Sequence, residues 1–229
     1  MFEKMYRLAA CLLLLLCTSA NCRADITVHN DLASFLGASQ DLAFEGFEAG
    51  RVVDGGVEPM RSGLDETTNN GVFRPGEIAA GVRFNTPINS DFAFLLIGAN
   101  SERLPETDSK VLSVGATAAP MEIVFSVPVT AVSMDLQTAG ATADVTVSLF
   151  NGQTLLGSHT VGDVRTTLPE SFAGFTTQAN ITRVLVNGPQ FEVIDDLRFG
   201  LASTAVPEPS NLVVLSLALA CITRRKRHA

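Results

Sequence analysis

From Asp25 onward apolar and polar residues alternate in short runs broken by Gly, Pro, Asn and Asp. This is the period-two pattern of strands that bury one face of a sheet. Val132, Met134 and Leu136 fall on one side of such a strand, and Ser133, Asp135 and Gln137 on the other. Val145, Val147 and Leu149 repeat the pattern, and Asn151-Gly152 follows directly after Phe150. Because Asn and Gly tolerate positive φ, that dipeptide predicts a tight hairpin over 143–160. Further strands are expected at 26–28, 42–47, 81–84, 92–97, 111–114, 121–126, 172–176, 181–186 and 191–199. Only 31–38 reads as helix, with Asp31 as N-cap and Leu32, Phe35 and Leu36 on one face.

Many short strands with almost no helix predict two packed antiparallel sheets, an all-β sandwich or jelly roll. The Gly-rich stretch 50–76 is expected to be a long surface loop. It carries Arg51, Asp54, Glu58, Arg61, Asp65, Glu66 and Arg74. The chain divides into a leader at 1–24, a folded domain at 25–203 and a tail at 204–229.

Charge narrows the choice of partners. The chain carries −8 overall, yet its basic residues gather at the two ends, and the stretch from Asp25 to Val206 holds 22 acidic and 9 basic residues. A body so acidic repels nucleic acid and anionic surfaces, so no nucleic-acid partner is expected. All four cysteines lie outside 25–203, at Cys11, Cys17, Cys22 and Cys221, which rules out a disulfide or thiolate metal site within the domain. The domain has neither Trp nor Tyr, and its thirteen Phe read as core filling, not as a recognition surface.

Signatures of catalysis are absent. His29 and His159 stand far apart, no Gly-x-Ser-x-Gly or His-Glu-x-x-His occurs, and Gly55-Gly56 opens no helix that would cradle a phosphate. Asp195-Asp196 with Glu192 lacks the alternating carboxylate order of jelly-roll glycosidases. The domain is therefore read as non-catalytic.

The ends speak to destination. Lys4 and Arg7 precede the apolar run 8–17, and small residues close the segment at Ala24, with Ala20 as the alternative cleavage point, the plan of a secretory signal peptide. At the other end Pro207, Glu208 and Pro209 are followed by the apolar stretch 212–222 and then by Arg224, Arg225, Lys226 and Arg227. This order resembles the PEP-CTERM sorting signal. The resemblance implies recognition by an exosortase, a membrane protease-transpeptidase acting near the Pro-Glu-Pro motif, and a destination at the cell surface or in a biofilm's extracellular matrix. The basic cluster keeps the terminus cytoplasmic by the positive-inside rule. Eleven apolar residues make about 16 Å of helix against a hydrocarbon core of about 30 Å, enough for transient insertion and short for a permanent anchor.

The segments Ala43 to Glu48 and Phe191 to Phe199 make the domain resemble, more loosely, the carbohydrate-binding jelly rolls often found ahead of such tails. That family normally stacks sugars on Trp or Tyr, so the resemblance implies the fold and leaves extracellular polysaccharide as the alternative partner of an otherwise structural protein. Strict alternation along 191–199 puts Asp195 in a row with Phe191, Val193, Leu197 and Phe199. A carboxylate facing a core requires compensation. The family resemblance suggests a structural calcium held by Glu45 or Glu48 with Asp195 or Asp196. A β-bulge turning Asp195 to solvent, or an ion pair with Arg198 or Arg183, meets the same need.

Overall fold

The computed structural model describes residues 25–104, 106–116, 118–167 and 170–203. The leader, the Pro-Glu-Pro motif, the apolar stretch 212–222 and the terminal basic cluster lie outside the described residues. The described strands are β1 (Ile26–His29), β2 (Ser39–Glu45), β3 (Val57–Met60), β4 (Leu64–Asp65), β5 (Val82–Asn85), β6 (Phe94–Ile97), β7 (Val111–Val114), β8 (Met121–Ala139), β9 (Ala143–Asn151), β10 (Thr154–Val164), β11 (Ser171–Asn187) and β12 (Phe191–Ala202). The helix is α1 (Leu32–Gly37). Among the described residues no helix is long and apolar enough to cross a membrane.

The strand pairings among the described residues are antiparallel, and β8 and β11 run through both layers of a sandwich. In the first layer β5 pairs with 121–129 territory of β8, which continues through the second half of β11 to β9 and β10. In the second, β1 pairs with the first half of β11, followed by the second half of β8, then β12, β7, β6 and β3. β2 borders β12 over Leu197 to Ala202, beyond the point where β7 stops. The sequence reads 172–176 and 181–186 as separate strands, but they are the two arms of β11. The polar residues between them form a corner where the register shifts between Thr176 and Ile181. Opposite that corner Pro128, which has no N–H to donate, falls in the part of β8 where the ladder opens.

The main core lies between the layers and contains the predicted inward rows Val132, Met134, Leu136 and Val145, Val147, Leu149. A smaller cluster of Leu95, Ile97, Leu104, Val111, Ala139 and Val193 covers part of the second layer's other face. Helix α1 begins as the sequence predicts: Asp31 is extended and its carboxylate accepts from Ser34 N at 2.8 Å. The fully buried Phe35 docks on the strand at Gly174, where a Cβ would stand 3.1 Å from the Phe35 ring. The hairpin turns at Gly152, whose φ is 58°.

Two expectations are corrected. The stretch 50–76 is not a free loop: it contributes β3 to β6 and β4 to β5, and buries Val52, Met60, Leu64, Val72 and Phe73. Its charged groups are largely engaged, Arg51 with Glu77 and Arg61 with Asp91 as ion pairs, and Glu66 accepting from Gly81 N. The alternation along β12 also fails. A bulge between Asp195 and Arg198, with Asp196 at φ 49°, reverses the parity, so Ile194, Leu197 and Phe199 enter the main core while Val193 joins the smaller cluster.

Candidate functional site

Two places along β12 combine chemistry with position. The first is the bulge. Asp195 and Asp135 are register partners on neighbouring strands, on the side of the sheet away from the main core. Asp195 is 8% exposed. Its Oδ1 accepts from Asp196 N at 2.7 Å and its Oδ2 from the Ser109 hydroxyl. Arg198 donates to the Asp196 carboxylate at 2.6 Å and to its carbonyl at 2.9 Å, and its guanidinium lies 5.0 Å from the centre of the Phe44 ring. Burial pushes Asp195 up to about 7, aided by the charges of Asp196 and Asp135 and opposed by the Ser109 and Asp196 hydrogen bonds. Asp135 is pushed up to about 6, by burial first and then by Asp196, with Arg198 pulling the other way.

The bulge therefore exists, but it does not turn Asp195 to solvent, and Arg198 pairs with Asp196 instead of Asp195. Arg183 binds Glu122 at 3.0 Å and so is not the partner either. Strand β2 does meet the last strand, Leu197 standing opposite Glu45, and the Asp196 carboxylate lies near Gly46. Yet the four residues expected around a calcium ion have separate partners. Glu45, 5% exposed, accepts from Phe47 N and Ala79 N, both at 2.6 Å. Glu48 accepts from Lys110 N at 2.8 Å. The Lys110 ammonium itself donates to the carbonyls of Glu48 and Gly50, at 2.8 and 3.0 Å, placing a fixed cation beside this turn. Among the described residues no group of three or more His, Cys, Asp or Glu side chains is arranged to hold a metal.

The second place is the start of β12. Glu102, Arg103, Ala139, Gly140, Thr166 and Phe191 line an open cavity of about 530 Å³. Arg103 lies 5.8 Å from the Phe191 ring centre, so an aromatic face and a cation share one wall. Phe191 is held by its pairing with Ala139. The next residue, Glu192, points the other way and is fully buried.

No protein-family model matches the chain, and no curated protein matches it. Among solved structures it is similar to CsCBM6-3 of Clostridium stercorarium in complex with cellobiose, with 16% identity over 40% of this chain and 74% of that one and a TM-score of 0.27. It is also similar to a family 6 carbohydrate-binding module whose binding sub-sites were dissected by crystallography and calorimetry, with 12% identity over 62% of this chain and 98% of that one and a TM-score of 0.32. Correspondence this loose aligns no binding site between the chains.

Neither Phe191 nor Arg103 stands out in the sequence, where Phe reads as core. In the fold, Phe44 and Phe92 are 54% and 61% exposed, and Phe44, Phe150 and Phe191 each carry an arginine over the ring. Outward phenylalanines on strands rich in inward ones were the available signal. His29 is buried, its Nε2 3.0 Å from the Thr176 hydroxyl, and burial lowers its pKa. His159 stands edge-on to Phe175, remote in sequence from both places.

Proposed function

We propose that this is a non-catalytic module that binds extracellular polysaccharide through the cavity at Phe191. The observation that carries this reading is the cavity itself: one aromatic face for the C–H side of a sugar ring, with Arg103, Glu102 and Thr166 around it for hydroxyls. The acidic body favours neutral or cationic chains over acidic ones. Export by the leader, and sorting by an exosortase-type enzyme that reads Pro207, Glu208, Pro209 and the basic cluster, complete the proposal. The tail would insert in the membrane transiently during that step.

Glycan-array screening followed by calorimetry on residues 25–203 tests the binding reading. Binding of at least one neutral polysaccharide, weakened tenfold or more by Phe191→Ala, is the expected result. Full affinity in that variant, or no glycan bound, would end it. For the sorting reading, replacing Pro207, Glu208 and Pro209 with alanine should abolish surface delivery in the native host, and unchanged delivery would refute it.

A further inference from the structure

Behind the Phe191 cavity, Glu192 is 0% exposed and neither carboxyl oxygen has a hydrogen-bond partner. It sits at one end of the main core, against the turn between β11 and β12. A Cβ on Gly188 would come within 2.9 Å of its Oε1, 3.2 Å of the Asp144 carbonyl and 3.4 Å of Val145. The absence of a side chain at Gly188 is what makes room for the carboxyl.

Among the described residues, none of the groups packed around it supplies a countercharge. From β8 comes Thr138, whose hydroxyl is committed to the carbonyls of Ala141 and Val164. From β9 comes Asp144, whose carboxylate accepts from Asp163 N on β10, so both charged groups on that side are acidic. Arg165, two residues beyond Asp163, is exposed, and Arg103 lies over Phe191 on the opposite face of the strand. Such a carboxyl stays buried only while it keeps its proton, because an unpaired buried charge costs several kcal/mol.

We infer that Glu192 is a proton-operated latch: protonated, it lets the β11–β12 turn close against β9 and holds Phe191 in the cavity wall, and ionised, it draws water in and releases that wall. This regulation rests on the polysaccharide-binding reading for its biological use, but the latch is testable without any glycan. Burial pushes Glu192 up to about 7, with the nearby Gly188 and Glu192 backbone N–H groups opposing without reaching hydrogen-bond geometry. The ordinary glutamate value is 4.5. Between those values the unfolded or opened chain gives up the proton while the closed one retains it. The contribution to stability is therefore largest below about pH 4.5, falls as pH rises and is lost above about 7.

Because the domain contains no Trp or Tyr, Phe191→Trp in residues 25–203 gives a single fluorescent reporter on the cavity wall. Its emission should move to longer wavelength between pH 5.5 and 8.5 with a midpoint near 7. Adding Glu192→Gln should remove the transition, while adding Asp195→Asn, which alters a second carboxyl pushed up to about 7, should leave it. Should the reporter fail to fold, thermal midpoints by circular dichroism replace it: the unsubstituted domain should lose several degrees across that window, and Glu192→Gln should lose markedly less. A transition that survives Glu192→Gln, or a flat profile in the unsubstituted domain, overturns the latch. A normal transition with no glycan bound at any pH leaves the latch standing and removes only the binding reading.

Discussion

Glu192 and Asp195 lie three residues apart on one strand, and burial pushes both up to about 7, yet their surroundings have little in common. Glu192 stands at the end of the main core with no partner, whereas Asp195 sits immediately before the parity switch with a hydroxyl, a backbone N–H and an arginine-bound neighbour around it. The difference shows that a similar titration value arises in two ways. At Glu192 compensation is missing; at Asp195 it is present and outweighed by burial and by two nearby carboxylates. The first arrangement releases structure when it ionises, and the second redistributes charge within a built network.

Removing Arg198 should separate the two regions most sharply. Arg198→Ala leaves Asp135 and Asp196 without their shared cation, and at pH 8 should cost about 2–3 kcal/mol of stability, below the ~3–5 kcal/mol of a fully buried pair because the Asp196 carboxylate is partly exposed. At pH 5, where Asp135 and Asp195 hold their protons, the loss should fall to about 1 kcal/mol. Urea unfolding at the two pH values measures this, and an equal loss at both would show that Arg198 acts through packing on Phe44 instead of through charge.

A smaller effect is expected at Ser109, the hydroxyl that opposes burial at Asp195. Ser109→Ala should destabilise the domain by about 1 kcal/mol and move the Asp195 carboxyl titration, followed by NMR, to higher pH while leaving Glu192 where it was. Movement at Glu192 would mean that the regions communicate through β12.

The smallest expected effect concerns calcium. With Lys110 on the carbonyls of Glu48 and Gly50, millimolar calcium should leave the thermal midpoint of residues 25–203 within about one degree of its value in chelator, since a ligand that does not bind the native state cannot stabilise it. A rise of several degrees that Asp195→Ala abolishes would put an ion back at the bulge.

Strand positions were legible because alternation is local: Val145, Val147 and Leu149 declare their face without reference to anything else. The joining of 172–176 to 181–186 was not legible, since polar residues in a corner look the same as polar residues in a turn. Nor was the reversal after Asp195, because one residue in the left-handed region, Asp196, undoes every parity assignment beyond it. In the Gly-rich stretch 50–76, turn-forming residues concealed two short strands whose partners lie elsewhere in the chain. For the cavity, each of its residues is ordinary alone, and only the pairing of Phe191 with Ala139 and the approach of Arg103 make them a wall.

The sharing of β8 and β11 between both layers also sets the order in which the chain can fold. His29 finds its hydrogen-bond partner Thr176 across 147 positions of sequence, and β1 pairs with no other strand than β11 in the described registers. A chain emerging N-terminus first would therefore carry β1 unpaired until nearly the whole domain had followed. Closure would then be slow, as distant contacts require.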